Sequence, residues 1–184
     1  VSVDLPVFGR PTKHTKPERN SGIRIFVLHG LDGTDQDRAD ADPAAVKAFY
    51  EANGYLVLED GFSPAEIETL KSETTLICRG ERGELPDHPK ADPAEPDDSV
   101  LSRFLCIHFP HKCSAGMLAA IHNGPTTRML TTVIGPNVKC MQSMLFIKSS
   151  GKPGQAWHQD EDYIPTRDRS LTGAWIAIDR ATVE

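Results

Sequence analysis

Two side chains with metal-binding chemistry lie two residues apart in the segment Trp157-His158-Gln159-Asp160 of this 184-residue chain. In an extended strand, residues i and i+2 point to the same side. We therefore expect the imidazole of His158 and the carboxylate of Asp160 to hold one ion together, while Gln159 faces elsewhere.

This pair supplies part of a known metal-binding pattern. Two histidines and one carboxylate hold Fe(II) in non-haem oxygenases and leave other coordination positions open. A bare His-x-Asp triplet is weak evidence, because roughly 0.6 such matches arise by chance in a chain of this composition. The alternative interpretation is an exposed loop pair that binds nothing. No histidine follows His158 in the sequence.

The segments around this pair follow an order and spacing that resemble a known family. They are residues 135–138 (GPNV), 142–148 (QSMLFIK), 151–154 (GKPG), 157–160 (WHQD), 163–165 (YIP) and 174–179 (AWIAID), with residues 49–58 (FYEANGYLVL) near the start. Together they closely resemble the phytanoyl-CoA dioxygenase-like family of Fe(II)/2-oxoglutarate oxygenases. The resemblance spans about residues 43 to 184 and is poor from 79 to 100. It favours the iron-site interpretation over the exposed loop pair.

The resemblance implies roles for six residues. It matches His158 and Asp160 with the first two iron ligands of the family. It also matches four residues with positions that border iron or 2-oxoglutarate: Gln142, Met144, Gln159 and Trp175. For Met144 and Trp175, packing within a core strand explains the residue type equally well. Asp160 favours hydroxylation, because related halogenases carry a small residue there and use the free position for chloride.

The activity that the resemblance implies is that of an Fe(II)/2-oxoglutarate-dependent dioxygenase. Such an enzyme hydroxylates an unactivated C–H bond of a small or lipid-like organic substrate, and it uses 2-oxoglutarate and O2, with ascorbate as a candidate additional cofactor. In relatives, a second histidine and a 2-oxoglutarate-binding arginine follow beyond the position of Glu184, and Arg167, Arg169 and Arg180 do not match that arginine. We therefore expect that this chain is the N-terminal part of such an enzyme. By itself it should be a poor catalyst. The alternative is a non-catalytic barrel-fold binding or scaffold protein.

The composition of the chain disfavours several other classes of function. A net charge of −6 and a pI near 5.6 disfavour nucleic acid or an anionic membrane surface as the main partner. No apolar run approaches the ~18–20 residues that a membrane-spanning helix needs. The 4 cysteines contain no Cys-x-x-Cys pair, which indicates reduced thiols in an intracellular protein. We expect the protein to lie in the cytoplasm, with the peroxisome as the alternative location. No feature of the sequence indicates its oligomeric state.

A second group of potential ligands lies between Cys106 and Cys113, which enclose His108 and His111. Structural zinc sites usually combine two separated pairs of ligands, and so short a segment would be strained around a tetrahedral ion. We therefore expect a buried strand that ends at Pro110.

The remaining sequence predicts the elements that position these residues. Residues 1–42 read as a partly disordered N-terminal extension with one apolar strand at 23–28, and residues 43–184 as one domain. Asp42 and Pro43 predict a helix start, Asn53-Gly54 predict its end, and Ser63-Pro64-Ala65-Glu66 predicts a capping box. Further helices are predicted at 114–121 and 126–132, strands at 55–58, 138–147 and 172–178, and a mobile surface loop at 80–98, more an insertion than a lid.

Helices followed by strands predict an α+β fold in which a helical layer packs against a β-sheet core. The family resemblance implies that this core is a double-stranded β-helix, a jelly-roll-like barrel of the cupin kind. We expect that barrel to be incomplete at the C-terminal end of the chain.

Overall fold

A computed structural model describes residues 3–4, 25–28, 41–149, 151–152, 154, 156, 158, 160–179 and 181–182 of the chain. Its helices are α1 (Pro43–Asn53), α2 (Pro64–Cys78), α3 (Asp97–Ser102), α4 (Ala115–Ile121), α5 (Gly124–Ile134) and α6 (Asp160–Tyr163). Its strands are β1 (Val3–Asp4), β2 (Ile25–Leu28), β3 (Leu56–Val57), β4 (Cys106–His108), β5 (Met144–Phe146), β6 (Gly173–Ile176) and β7 (Ala181–Thr182), and a 3-10 turn spans Pro110–Lys112. The predicted mixture of helices and strands is confirmed. The predicted disorder in residues 1–42 falls mostly outside the described residues.

Helices α1 and α2 begin where local sequence signals predict, and α1 also ends there. The Asp42 carboxylate accepts a hydrogen bond from Ala45 N at 3.1 Å at the start of α1, and Gly54 ends that helix with a φ of 81°. Glycine reaches this left-handed conformation without steric cost. At α2, Ser63 N donates to Glu66 Oε2 at 2.7 Å and Glu66 N donates to Ser63 Oγ at 3.3 Å, which is the predicted capping box.

The described strands form three small sheets rather than a closed barrel. Strands β4 and β5 are antiparallel, whereas β2 lies between β3 and β6 and is parallel to both. Strand β1 pairs in parallel with β7. The strand predicted at 138–147 is confined to β5, and the one predicted at 172–178 is confined to β6. The double-stranded β-helix therefore stays a prediction.

The core lies between the helices and one face of the β4–β5 sheet. Helix α1 packs on α5, and α2 packs on α3 and α4. Ile107 and Leu145 are paired across the sheet and point into the core, whereas Met144 and Phe146 are 39% and 38% exposed on its other face. The helical contribution to this single cluster comes mainly from Val46, Tyr50, Leu70, Ile77, Met117, Met129 and Val133. Among the described residues, no helix has both the length and the apolar character needed to cross a bilayer.

The loop predicted at 80–98 is irregular, as expected, but Arg79 anchors it. Arg79 Nη1 donates to the carbonyl of Glu95 at 3.0 Å, and Nη2 donates to the carbonyls of Asp92 and Pro93 at 3.0 and 3.2 Å. Arg79 Nη1 also contacts Asp97 Oδ1 at 2.5 Å. Because the guanidinium of Arg79 contacts four residues of this loop, the structure disfavours the interpretation of the loop as a freely moving lid.

Candidate functional site

The structure brings the two predicted iron ligands together. The Nε2 atom of His158 lies 3.2 Å from Oδ1 of Asp160. The expected strand geometry is wrong for Asp160, because this residue begins the one-turn helix α6. The two side chains therefore meet at a turn into a helix rather than on one face of a strand.

A backbone carbonyl fixes the orientation of the His158 ring. Nδ1 of His158 lies 2.7 Å from the carbonyl oxygen of Ala156. A carbonyl oxygen can only accept a hydrogen bond, so Nδ1 carries the proton and donates it. In a neutral ring with this tautomer, Nε2 keeps its lone pair, which is available to a cation. Histidines that bind metals commonly use their second nitrogen in this way, since it fixes the tautomer and the ring plane.

The spacing of the two donor atoms fits one cation. For metal–ligand bonds of about 2.1 Å, adjacent corners of an octahedron lie about 3.0 Å apart, close to the observed 3.2 Å. The side chains are 24% and 45% exposed, so an ion could reach both. Among the residues that the structure describes, no group of three or more His, Cys, Asp or Glu side chains is arranged to hold a metal. The described residues therefore bring together two potential metal ligands and no third.

A neighbouring carboxylate organises the segment that follows Asp160. Glu161 Oε1 accepts hydrogen bonds from the amide and the hydroxyl of Thr166, both at 2.6 Å, and Oε2 accepts from Leu171 N at 3.1 Å. The hydrogen bond from the Thr166 hydroxyl is the largest cause that lowers the pKa of Glu161. Sequence reasoning missed Glu161, whose partners lie five and ten residues away and form no recognised local motif.

The other described residues that the resemblance singles out have partners in other segments. Gln142 Nε2 lies 3.4 Å from His108 Nδ1, and the exposed Met144 is paired with His108 across the β4–β5 sheet. Trp175 lies on β6, where it is paired with Val27 of β2. Gln159 lies outside the described residues. No hydrogen bond or ion pair joins His158 to Gln142, Met144 or Trp175 in the described part of the chain.

The segment between Cys106 and Cys113 contains a strand, as predicted, but this strand ends before Pro110 and only Ile107 in it is buried. Strand β4 ends at His108 and is followed by the 3-10 turn at Pro110. Phe109 between them has a φ of 56°, an unusual value for a bulky residue. This turn places His111 Nδ1 2.5 Å from Ser143 Oγ. His108 and His111 therefore interact with the residues before β5.

Comparison with known proteins identifies the family. The family model of phytanoyl-CoA dioxygenase (PhyH) matches residues 50–184. A curated relative from Bos taurus, "Phytanoyl-CoA dioxygenase, peroxisomal", is 28% identical over 144 residues, which cover 72% of this chain and 42% of the relative. The chain thus spans less than half the length of that relative. No solved structure matches the chain significantly. Because the family model covers most of the sequence and includes the His158–Asp160 pair, the chain belongs to the phytanoyl-CoA dioxygenase (PhyH) family.

Proposed function

We propose that this chain contributes the first two iron ligands of an Fe(II)/2-oxoglutarate-dependent dioxygenase. The observation that carries the proposal is the 3.2 Å approach of His158 Nε2 to Asp160 Oδ1, with the other ring nitrogen engaged by Ala156. Membership of the PhyH family supports the assignment. In this function 2-oxoglutarate, O2 and a substrate C–H group give succinate, CO2 and the hydroxylated product.

The residues of this chain orient the ligands for that chemistry. With Fe(II) and 2-oxoglutarate bound, the metal centre supplies the oxidising power, and the protein supplies orientation and a defined surrounding. The Ala156 carbonyl keeps the proton on Nδ1 of His158, so that Nε2 is available to a cation. Asp160 adds a negative charge that balances part of the charge of Fe(II). The substrate in this proposal is a small or lipid-like organic molecule.

The same proposal covers the domain, its fold and its compartment. We propose a domain that begins near residue 43, with residues 1–42 as an extension and a double-stranded β-helix as the complete core. The antiparallel pair of β4 and β5 is compatible with such a barrel. The 4 cysteines are free thiols, which supports a reducing compartment inside the cell. The cytoplasm and the peroxisome are the two candidates, the second because the bovine relative is described as peroxisomal.

Anaerobic calorimetric titration with Fe(II) tests the ligand assignment on the chain itself. We expect weak one-to-one binding, because two protein ligands hold Fe(II) less tightly than three. His158→Ala and Asp160→Ala should each weaken binding at least tenfold. His122→Ala is the matched control, since His122 is exposed at the end of α4 and remote in sequence from the site. Unchanged Fe(II) binding by His158→Ala would refute the assignment of His158 as an iron ligand.

Succinate production separates the enzyme from the alternative of a non-catalytic binding or scaffold protein. In a form of the protein that supplies a second histidine and a 2-oxoglutarate-binding arginine, we expect succinate to form from 2-oxoglutarate in the presence of Fe(II) and O2. His158→Ala should abolish this turnover. A form that binds Fe(II) and 2-oxoglutarate without producing succinate would favour the non-catalytic function.

A further inference from the structure

The helix that presents Asp160 is too short to be stable by itself. Helix α6 contains four residues, Asp160–Tyr163, and isolated helices need at least ~12–15 residues to form appreciably in water. Among the described residues, a backbone hydrogen bond from Ile164 N to the carbonyl of Asp160, at 2.8 Å, closes the end of this turn. The direction of the Asp160 side chain therefore depends on contacts that α6 makes with other segments.

Glu161 provides three such contacts through both of its carboxylate oxygens. Its three accepted hydrogen bonds join α6 to Thr166 and to Leu171, which lies two residues before β6 begins. The Thr166 hydroxyl donates to Glu161 and also accepts from Ser170 N at 3.1 Å. This network encloses Arg169, whose φ of 52° is uncommon for a residue with a side chain. The loop from α6 to β6 is thus closed by Glu161.

Asp162 shows that this role is specific within the acidic helix. Asp162 is exposed and carries the same charge one residue further along. In the part of the chain that the structure describes, its carboxylate makes no hydrogen bond or ion pair. The contribution of negative charge near the site can therefore be separated from the contribution of the network.

We propose that Glu161 is a positioning residue of the metal site, which keeps the Asp160 carboxylate directed at His158 Nε2 by holding α6 against the segment that leads into β6. The inference rests on the proposed function, because it concerns the same site. The proposal adds a requirement beyond the two ligands: the site needs the hydrogen bonds that Glu161 accepts from both Thr166 and Leu171.

Two matched pairs of variants test the proposal. Glu161→Gln puts an amide N–H opposite the Leu171 N–H and loses that bond, whereas Asp162→Asn removes the same charge without breaking the network. Thr166→Val removes the hydroxyl with almost no change in the shape of the side chain, whereas Thr166→Ser keeps the hydroxyl. Binding is measured with Co(II), which follows Fe(II) in the order of affinities and absorbs visible light. Hydrogen exchange of the metal-free protein reports the amides of residues 160–171.

We expect Glu161→Gln and Thr166→Val to weaken Co(II) binding at least fivefold and to accelerate exchange at Thr166 and Leu171. Asp162→Asn and Thr166→Ser should stay within twofold of the unmutated protein in affinity. If Glu161→Gln and Asp162→Asn bound Co(II) with equal affinity, the proposal would be overturned. This holds even if hydrogen exchange were faster in Glu161→Gln, because the network would then stabilise the loop without affecting the metal site. If Glu161→Gln did not fold, the two Thr166 variants would decide.

The outcome also distinguishes this inference from the proposed function. Failure of the unmutated protein to bind Co(II) or Fe(II) would refute the metal site, and with it the positioning role. Normal binding by the unmutated protein together with normal binding by Glu161→Gln and Thr166→Val would refute the positioning role alone.

Discussion

Replacing Glu73 by glutamine should destabilise the protein in a pH-dependent way. Glu73 lies on α2, and its carboxylate accepts two hydrogen bonds from Arg82, at 2.8 Å from Nε and 2.6 Å from Nη2. Ser114 Oγ donates to the same carboxylate at 2.7 Å and caps α4 by accepting from Met117 N at 3.1 Å. One carboxylate therefore joins α2 to the following loop and to the start of α4.

The magnitude follows from the pKa of Glu73. The hydrogen bond from Arg82 is the largest cause that lowers this pKa from 4.5 to about 2, and the bond from Ser114 adds to it. A lowering of about 2.5 units corresponds to about 3 kcal/mol of stabilisation. The Arg82 side chain is 36% exposed, so solvent screening weakens the pair. We expect a loss of about 1–2 kcal/mol in the free energy of unfolding.

The pH dependence has a defined sign. Because the pKa of Glu73 is lower in the folded than in the unfolded protein, the ionised carboxylate stabilises the fold fully above pH 4.5, the ordinary pKa. This stabilisation is lost as the pH falls through about 2. The stability difference between the unmutated protein and Glu73→Gln should therefore be constant near neutral pH and shrink below pH 4.5.

Urea unfolding at neutral pH and at several acidic pH values measures that difference. Glu68→Gln is the matched control on the same helix, because Glu68 is 72% exposed and pairs with Lys71 at 3.2 Å. Exposed pairs contribute little, and we expect a loss below about 0.5 kcal/mol for the control. Equal effects of the two substitutions, or an effect of Glu73→Gln that does not change with pH, would refute the reasoning.

Three further predictions concern packing, the anchored loop and the reaction. Gly116→Ala places a Cβ 2.9 Å from a side-chain carbon of α2 and should cost about 1–3 kcal/mol in urea unfolding, whereas Gly124→Ala, which meets nothing within 4 Å, should not show this loss. Arg79→Gln removes the anchor of residues 80–96 and should speed their cleavage by a glutamate-specific protease; an unchanged cleavage rate would show that other contacts hold the loop. With an accepted substrate and a complete site, mass spectrometry should show gain of one oxygen from labelled O2 even in chloride buffer, because Asp160 fills the position that chloride would need. A chlorinated product from the unmutated protein would contradict that prediction.

The elements predicted correctly are those whose signals lie within a few residues. Asp42 caps α1 through an amide three residues away, and Ser63 and Glu66 cap α2 across the same separation. Such bonds depend on local conformation, and therefore the residue types alone indicate them. The family was also predicted from the sequence, because the order of its motifs is a linear property, and the family model confirms it.

The features that the sequence did not predict depend on residues far apart in the chain. Ser114 meets Glu73 across 41 positions, and Arg79 reaches the carbonyl of Glu95 across 16; no periodic pattern specifies such pairs. The sequence by itself determined that His158 and Asp160 are a candidate pair. Only the tertiary structure decided that they meet at the start of α6, because the hydrogen bonds that join this four-residue helix to Thr166 and Leu171 follow no local sequence pattern.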